Sequence, residues 1–275
     1  MSSLKSNSNT FKTYANHIPN QMYRRRLFQI IQKWRKSIRG SPCAKLLLPR
    51  FKTSNHQKKF DPISCIERIW FEPMPRDSPW VKPVRLKYIE NEKEKYTDLI
   101  KTKDGVMVVL FNITRKKLIV VRQFRGAVYQ GIYTSGKDAA PKGEADLEKF
   151  PPEIGITLEL CGGAVDKDMS LVEIAREEVL EECGYDVHPD SIQLVFYYRS
   201  GIGTSSGRMA MYYCEVCDEQ KITNGGGVEN EVIQVVELSL SEAAKLVQTG
   251  ATTNGGPTFL LALVWFFLNK ASAYT

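Results

Sequence analysis

The sequence predicts an α/β fold in which a mixed β-sheet lies between layers of helices. Short runs of β-branched and aromatic residues recur through most of the chain and are separated by turns. Few segments have helical character, one of them strongly acidic and another apolar throughout. Strands that alternate with a small number of helices are typical of a sheet packed between helical layers.

The first part of the chain differs in charge from the rest. Of the 38 Lys and Arg residues, 14 lie in residues 1–60, where there is no Asp or Glu, and the other 24 follow together with all 31 acidic residues. The net charge of +7 therefore combines a basic tail with an acidic body. For this reason we expect no nucleic-acid binding by the folded domain, which we place at residues 61–275.

Apolar residues recur at helical spacing within the basic tail. They are Leu27, Ile31, Trp34 and Ile38. This pattern is typical of a basic amphipathic helix, and an Arg-rich, acid-free N-terminus is also typical of a mitochondrial transit peptide. A disordered extension without a targeting role is the alternative. A cytoplasmic location is favoured, and a mitochondrial one stays open.

β-strands are predicted in order along the body. They are Ile66–Phe71, Val84–Ile89, Val106–Asn112, Lys117–Phe124, Ile156–Cys161, Ile192–Tyr198, Met209–Cys217 and Val232–Leu238. A short polar link with Thr114 and Arg115 predicts a hairpin between the third and fourth strands. Polar residues predict a long surface loop at Gly131–Phe150. Trp70 and Trp80, near a proline-rich turn, are interpreted as packing residues.

Three helices are predicted. The acidic helix ends at Gly184, because glycine suits the left-handed position after a helix. The second covers Ser241–Gln248, with Ser241 as its N-cap and Glu242 in its first turn. The third, Phe259–Leu268, has ten apolar residues, too few to span a bilayer, and is predicted to be a buried helix. No transmembrane segment is expected.

The cysteines do not indicate a disulfide framework. They are Cys43, Cys65, Cys161, Cys183, Cys214 and Cys217. No secretory signal precedes them, which favours a reducing compartment. Cys214 and Cys217 form a single CxxC motif, and the chain has only three His residues. We therefore predict no zinc site and interpret these residues as core and surface thiols.

The acidic helix is the predicted centre of the chemistry. Glu178, Glu181 and Glu182 stand at i, i+3 and i+4, offsets that bring side chains onto one helical face. Like charges at this spacing destabilise a helix, and a bound cation would remove their repulsion. Oxygen ligands in this number suit Mg²⁺ or Mn²⁺ better than zinc. A solvated acidic face is the alternative.

A known family motif resembles this segment. Residues Gly163 to Gly184 resemble the Nudix box, G-x5-E-x7-R-E-U-x-E-E-x-G-U, in which U is bulky and apolar. Both glycines and the three Glu residues fit the spacing, whereas Met169 replaces the first Glu and Glu177 replaces the Arg. Arg176 lies one position early. In the family the two replaced residues support the metal site, so these departures bear on metal affinity and rate more than on reaction type.

The resemblance implies a fold and a set of metal ligands. Over about residues 63–270 it implies the Nudix α/β/α sandwich with a mixed sheet, preceded by an N-terminal antiparallel strand region. It implies a backbone carbonyl ligand from Gly162, where Cys161 replaces the usual Pro, beside the three helical glutamates. A late segment, GGGVENEVIQVVEL, resembles a second acidic loop of the family. That likeness implies Glu231 as a metal ligand.

Catalytic and substrate-binding roles also follow from the resemblance. Glu229 in the late acidic loop would orient or activate water, and Glu182 would share the catalytic role. The segment VRQFRGAVYQG resembles a QFRP segment of the family, with Gly126 in place of the Pro. This likeness implies that Arg125 faces the diphosphate, since a guanidinium binds phosphate oxygens bidentately.

The Nudix branch that this chain resembles most acts on UDP-sugars and ADP-ribose. The resemblance implies Mg²⁺-dependent hydrolysis, with Mn²⁺ as a substitute, of UDP-glucose to UMP and glucose 1-phosphate. It also implies hydrolysis of ADP-ribose to AMP and ribose 5-phosphate. A dedicated ADP-ribose pyrophosphatase and a non-catalytic nucleotide-binding module are the alternatives. We further expect a homodimer formed through the N-terminal strands, as is usual in this branch.

Overall fold

A mixed β-sheet with helices on both faces forms the body of the protein. The computed structural model describes residues 65–135, 141–228, 231–250 and 254–274. The predicted tail of residues 1–60 lies outside these residues, and so does Glu229. Six strands make up the central sheet, and the helices pack on its two sides. The predicted α/β/α sandwich is therefore confirmed.

The strands are numbered in chain order. They are β1 (Trp70–Phe71), β2 (Lys82–Glu90), β3 (Lys93–Lys101), β4 (Gly105–Asn112), β5 (Lys117–Phe124), β6 (Gly143–Glu144), β7 (Ile156–Glu159), β8 (Gln193–Arg199), β9 (Arg208–Val216) and β10 (Ile233–Ser239). The central order is β10–β5–β4–β9–β8, and β7 also pairs with β5. β4 and β9 run parallel, while the other central pairs are antiparallel. The sheet is therefore mixed, as predicted.

The helices divide the core into two layers. They are α1 (Gly126–Tyr133), α2 (Leu171–Cys183), α3 (Leu240–Thr249) and α4 (Pro257–Asn269). Side chains alternate along a strand, so Val106 and Val108 of β4 face one layer with α2, and Val109 and Phe111 face the other with α3 and α4. The acidic helix is thus packed directly on the centre of the sheet.

Two strands, β4 and β7, pair with the same edge of β5, and this arrangement positions the site. β4 pairs with its first half and β7 with its second half. After β7 the chain crosses to β4, where the Val108 N–H donates to the Cys161 carbonyl at 2.8 Å and the Val106 N–H donates to the Gly163 carbonyl at 2.9 Å. Residues 161–163 are therefore fixed between two diverging strands, beneath α2.

Helix α2 has a well-defined beginning and end. Ser170 is its N-cap and forms a reciprocal capping box with Glu173. At the other end Gly184 adopts a left-handed conformation with φ of 81°, and its N–H donates to the Leu180 carbonyl at 3.0 Å. The predicted glycine stop at Gly184 is confirmed, since this conformation favours a residue without Cβ.

The N-terminal strand region is present, although its details differ from the prediction. β2 and β3 form an antiparallel hairpin that pairs with no other described strand. The predicted strand Ile66–Phe71 is reduced to Trp70–Phe71. β3 was not predicted, because its sequence KEKYTDLIK is mostly charged and polar and lacks a clear apolar alternation, and only Thr97 and Leu99 are half-buried. Trp70 and Trp80 are 61% and 78% exposed, so their interpretation as packing residues is wrong.

Two further expectations need correction. Residues 131–150 are not a simple surface loop, because α1 extends to Tyr133 and the buried Tyr129 hydroxyl donates to the Phe150 carbonyl at 2.8 Å. α3 begins at Leu240, and its N-cap lies two residues earlier than predicted. Its N-cap is Ser239 rather than Ser241, and the Ser239 hydroxyl accepts from the Glu242 N–H at 3.3 Å. The prediction of Glu242 in the first turn is correct.

The apolar segment near the C-terminus forms α4, as predicted. Phe259, Leu263 and Phe266 are buried against the sheet. Within the part of the chain that the structure describes, no helix has both the length and the hydropathy to cross a membrane. The described cysteines are free thiols, with Cys161, Cys183 and Cys214 buried.

Shortening Phe266 is expected to destabilise the fold strongly. Its ring is fully buried and packs against the Phe111 ring at an interplanar angle of 40°, with centroids 5.0 Å apart. Phe266→Ala should lower the free energy of unfolding by about 3–5 kcal/mol, through lost burial and the cavity left behind. Leu261→Ala, on the same helix but 41% exposed, should change it by less than about 1 kcal/mol. Urea denaturation followed by circular dichroism measures both, and equal losses would contradict this view of the core.

Candidate active site

Helix α2 presents its glutamates on one face, as their spacing predicts. Glu182 is only 5% exposed, and Glu178 and Glu181 are half-buried. Glu178 repels both Glu181 and Glu182 electrostatically. Packing therefore removes Glu182 from water and partly removes Glu178, whereas the Glu181 side chain keeps 32% exposure.

Burial and mutual repulsion change how these carboxylates titrate. Burial, together with repulsion from Glu181 and Glu231, raises the pKa of Glu178 to about 7. Burial also raises the pKa of Glu182 to about 7, although a hydrogen bond from the Gly162 N–H at 2.9 Å opposes the shift. Both shifts favour the neutral acid, so the ionised site requires positive charge.

Two glycines bring the backbone onto this face of α2. A Cβ at Gly163 would overlap the Glu178 carboxylate, and a Cβ at Gly162 would overlap the Val106 carbonyl. Gly162 lies between two residues whose carbonyls accept from β4, and its own N–H donates to Glu182. Among the described residues no hydrogen bond to the Gly162 carbonyl is found. The structure thus brings Gly162 next to Glu182, as the predicted ligand set requires.

The glycine-rich loop before β10 is anchored on the C-terminal end of α2. The Gly226 N–H donates to the Glu182 carbonyl at 2.9 Å, and the Gly227 N–H donates to the Glu181 carbonyl at 3.1 Å. Gly225 has φ of 68°, and a Cβ there would overlap the Glu182 carbonyl. The loop thereby satisfies helix carbonyls that would otherwise lack partners.

The acidic loop residues have different outcomes. Glu231 lies near the helical carboxylates, since it repels both Glu178 and Glu182. Its side chain accepts from the Val228 N–H at 3.2 Å. The structure therefore brings Glu231 to the predicted site. Glu229 lies outside the described residues, and its role stays a prediction.

Arg125 lies at the same site but is held by a residue that the sequence did not single out. Its Nε donates to Glu159 Oε1 at 2.8 Å and its Nη2 donates to Glu159 Oε2 at 2.7 Å. Thr157 donates to Glu159 Oε1 at 2.5 Å. Burial of Glu159 acts to raise its pKa, but the hydrogen bonds from Arg125 and Thr157 outweigh burial and hold that pKa below its usual value.

The two departures from the family motif have structural counterparts. Glu177, which stands where the motif has Arg, pairs with the Lys167 ammonium, which also lies 4.0 Å from Glu181 Oε1. Arg176 points elsewhere, donating to the Val187 carbonyl at 2.9 Å and to Asp186 Oδ1 at 2.8 Å. Met169 is 37% exposed. Lys167 therefore provides the positive charge beside Glu177 and Glu181.

The donor set fits a hard divalent cation. Within the described residues no three acidic, His or Cys side chains already converge in the geometry of a metal site. The nearby donors are nevertheless uniform, being the carboxylates of Glu178, Glu181, Glu182 and Glu231. A divalent cation would offset the burial and repulsion that raise the pKa of Glu178 and Glu182. Carboxylate oxygens are ligands that Mg²⁺ prefers.

Three residues at the site, Glu159, Thr157 and Lys167, were not predicted from the sequence. Glu159 is a charged residue at the end of a buried strand. That position could have indicated an ion pair, because charged residues are rarely buried without a partner. Lys167 offered only its place in the loop before α2. The partner of Glu159, Arg125, is 34 positions away, and the partner of Lys167, Glu177, is 10 positions away.

A separate cavity lies along a different stripe of α2. Its volume is about 380 Å³. Its lining residues are Met169, Glu173, Arg176, Glu177, Asp186, Val187, His188 and Pro189. None of the predicted ligand or substrate-binding residues lines it. We therefore base the site on the carboxylate face and not on this cavity.

Comparison with known proteins supports a relationship over most of the described chain. The sequence is 37% identical over 202 residues to uridine diphosphate glucose pyrophosphatase of Bos taurus, covering 69% of this chain and 89% of that protein. It is 38% identical to the Mus musculus protein of the same name, with the same coverage. It is 30% identical over 175 residues to GDP-mannose pyrophosphatase of Salmonella arizonae, covering 64% of this chain and 78% of that protein. No family model matches the chain.

Neutralising Glu178 is expected to stabilise the metal-free fold at high pH. Its pKa is about 7 in the folded chain and near the ordinary value of 4.5 in the unfolded chain. Ionisation therefore destabilises the fold above pH 7, and this effect fades as pH falls toward 4.5. With a chelator present, Glu178→Gln should raise Tm at pH 8 by a few degrees, because each kcal/mol added to the free energy of unfolding raises Tm by about 2–4 °C. The gain should shrink at pH 5.

Glu173→Gln on the same helix is the matched control, and it should change Tm in the opposite direction. Hydrogen bonds from the Ser170 side chain and backbone hold the pKa of Glu173 below its usual value, so its ionised form stabilises the cap. Glu173→Gln should therefore lower Tm at pH 8. Scanning fluorimetry at both pH values measures the two variants. A decrease in Tm for Glu178→Gln at pH 8 would show that Glu178 is not repelled in the folded protein.

Proposed function

The chain belongs to the Nudix hydrolase family, and on this premise we propose that it hydrolyses the pyrophosphate bond of nucleoside diphosphate sugars. UDP-glucose is the proposed main substrate, giving UMP and glucose 1-phosphate, and ADP-ribose is a further one, giving AMP and ribose 5-phosphate. The observation that carries the proposal is the buried carboxylate face of α2 beside the Arg125 guanidinium. Such a site suits a diphosphate whose negative charge is neutralised by a bound divalent cation and by the guanidinium.

The proposed ligands for the cation come from three segments. Glu178, Glu181 and Glu182 would hold Mg²⁺ or Mn²⁺ from α2, Glu231 from the segment before β10, and Gly162 through its carbonyl. When bound, the divalent cation neutralises diphosphate oxygens and lowers the pKa of water. The anchored glycine loop and the backbone at residues 161–163 fix these donors, because both hydrogen bond to α2 or β4.

The remaining residues orient the reactants. Arg125 would donate to diphosphate oxygens and stabilise the negative charge that develops on the leaving phosphate. Glu229 would accept a hydrogen bond from the attacking water and take its proton, while Glu182 keeps its carboxylate aligned through the Gly162 N–H. Water attacks one phosphorus, the bridging P–O bond breaks, and the nucleoside monophosphate and sugar phosphate leave. Lys167 would limit the repulsion that Glu177 adds.

A substrate panel tests the proposed reaction. With Mg²⁺, the purified full chain should convert UDP-glucose to UMP and glucose 1-phosphate, identified by chromatography and phosphorus NMR. Glu182→Gln should lower kcat by about two orders of magnitude or more, because the ligand charge is lost. Its Tm should hold or rise.

Three outcomes separate the alternatives. Intact nucleotide sugars with both Mg²⁺ and Mn²⁺ would contradict the proposed activity, and tight binding without turnover would indicate a non-catalytic nucleotide-binding module. A much higher kcat/KM for ADP-ribose than for UDP-glucose would identify a dedicated ADP-ribose pyrophosphatase. Unchanged turnover of Glu182→Gln would place the metal ligands elsewhere.

We also propose that two copies of the chain associate through the β2–β3 hairpin. Every residue of β2 is exposed, and Val84, Leu86 and Tyr88 on one face are 49%, 52% and 42% exposed. A two-stranded hairpin is marginally stable by itself in water. Its apolar face is the kind of surface that a second copy covers in a symmetric dimer.

Charge on that face is expected to break the dimer. Leu86→Asp should convert the protein from dimer to monomer in size-exclusion chromatography with light scattering, because burial of a carboxylate at the interface is unfavourable. Ile222→Asp is the matched control, an apolar residue 60% exposed elsewhere, and should leave the dimer intact. A wild-type monomer, or a dimer unaffected by Leu86→Asp, would contradict the proposal.

A further inference from the structure

Arg125 and Glu159 form an ion pair with unusual support for a pair near the surface. Both oxygens of Glu159 accept from the guanidinium, at 2.8 and 2.7 Å. The Glu159 side chain is only 18% exposed, and the buried Thr157 hydroxyl also donates to it. On the Arg125 side, the backbone N–H donates to the Gly155 carbonyl at 2.8 Å. Backbone and side-chain contacts together fix the guanidinium.

The geometry of the pair leaves one edge of the guanidinium available. Glu159 occupies the edge formed by Nε and Nη2. A guanidinium has five N–H donors in a planar fork, so Nη1 and the second hydrogen of Nη2 form another edge. That edge can bind two phosphate oxygens at the same time. Glu159 and a diphosphate therefore do not compete for the same donors.

Arg125 is also attracted by the predicted metal ligands. Its guanidinium interacts electrostatically with Glu182 and Glu231 as well as with Glu159. Without Glu159, these two carboxylates would still attract the guanidinium electrostatically. A guanidinium bound to them would oppose a cation there and would turn away from the substrate. Glu159 is placed to prevent this.

We propose that Glu159 is a positioning residue that holds Arg125 in the orientation for diphosphate binding and keeps its guanidinium away from Glu182 and Glu231. This proposal rests on the proposed function of the same site. It assigns to Glu159 two effects, tighter substrate binding and easier cation binding. Both effects act through Arg125.

Other bidentate pairs in the protein differ from this one in burial. In the pair of Arg68 with Glu144, the two side chains are 69% and 55% exposed, and surface pairs of this kind contribute little. Glu144→Gln is therefore a matched control for the same change of carboxylate to amide. It should leave substrate and cation binding unchanged.

A double-mutant cycle tests the proposal on the full chain. The variants are Glu159→Gln, Arg125→Ala, the double variant and Glu159→Asp. The ligand is the methylene analogue of UDP-glucose, whose diphosphate cannot be hydrolysed at its bridging position, and its Kd is measured by calorimetry with Mg²⁺ present. The Mg²⁺ concentration for half-maximal turnover of UDP-glucose is measured separately, and Tm reports folding.

The loss of analogue binding caused by Glu159→Gln is expected to depend on the presence of Arg125. Glu159→Gln should weaken binding of the analogue about 10- to 100-fold and raise the half-saturating Mg²⁺ concentration. In the Arg125→Ala background the same change should alter Kd by less than about twofold. Glu159→Asp keeps both acceptor oxygens and should lose less than Glu159→Gln.

Two outcomes would overturn the proposal. One is an equal loss of binding from Glu159→Gln with and without Arg125, which indicates a purely structural role for Glu159. The other is wild-type Kd and Mg²⁺ dependence in Glu159→Gln. If Glu159→Gln fails to fold, the same comparison is made with Glu159→Asp, and a loss that persists without Arg125 overturns the proposal. Failure of the proposed function itself is distinguishable, because the wild-type chain would then not hydrolyse UDP-glucose, whatever the Kd values of the variants.

Discussion

The site depends on a close approach of backbone segments to helix α2. At Gly163, Gly184 and Gly225 an added Cβ would overlap atoms of, respectively, Glu178, the Thr223 carbonyl and the Glu182 carbonyl. These contacts bring the segment after β7 and the loop before β10 against the helix. Water is excluded as a result, and burial becomes the largest cause of the raised pKa of Glu178 and Glu182. The charge properties of the site are thus a consequence of packing.

The positively charged side chains around the site already form ion pairs with other carboxylates. The glutamates of α2 therefore still need a bound cation to neutralise them. Arg125 is paired with Glu159, and Lys167 is paired with Glu177. Neither pairing relieves the burial of Glu182, whose own hydrogen-bond donor is a neutral backbone group. In a low-dielectric environment a neutral donor offsets only part of the cost of ionisation. The fold therefore concentrates negative charge on the glutamates of α2, whereas the nearby Glu159 and Glu177 are balanced by Arg125 and Lys167.

The sequence predicts the parts whose pattern is local. β4 and β5 are buried on both faces and appear as continuous apolar runs, and the helical glutamates lie within two turns of one another. β3 is mostly charged and polar, with only Thr97 and Leu99 half-buried, and has no such apolar run. α1 contains Gly126 and Gly131, which disfavour helix, and forms because Tyr129 packs into the core. Glu159 could not be assigned a role, since its partner is known only once β5 and β7 are paired.

The parallel pairing of β4 with β9 has a consequence for how the chain is made. Its register joins Gly105 to Met209 and Asn112 to Val216, residues about 100 positions apart. During synthesis, one edge of β4 therefore stays open until β9 has left the ribosome. Open apolar strand edges favour association with other chains, and closing a long loop slows folding. Until β9 pairs with it, β4 therefore exposes an apolar edge through which the nascent chain could associate with other chains.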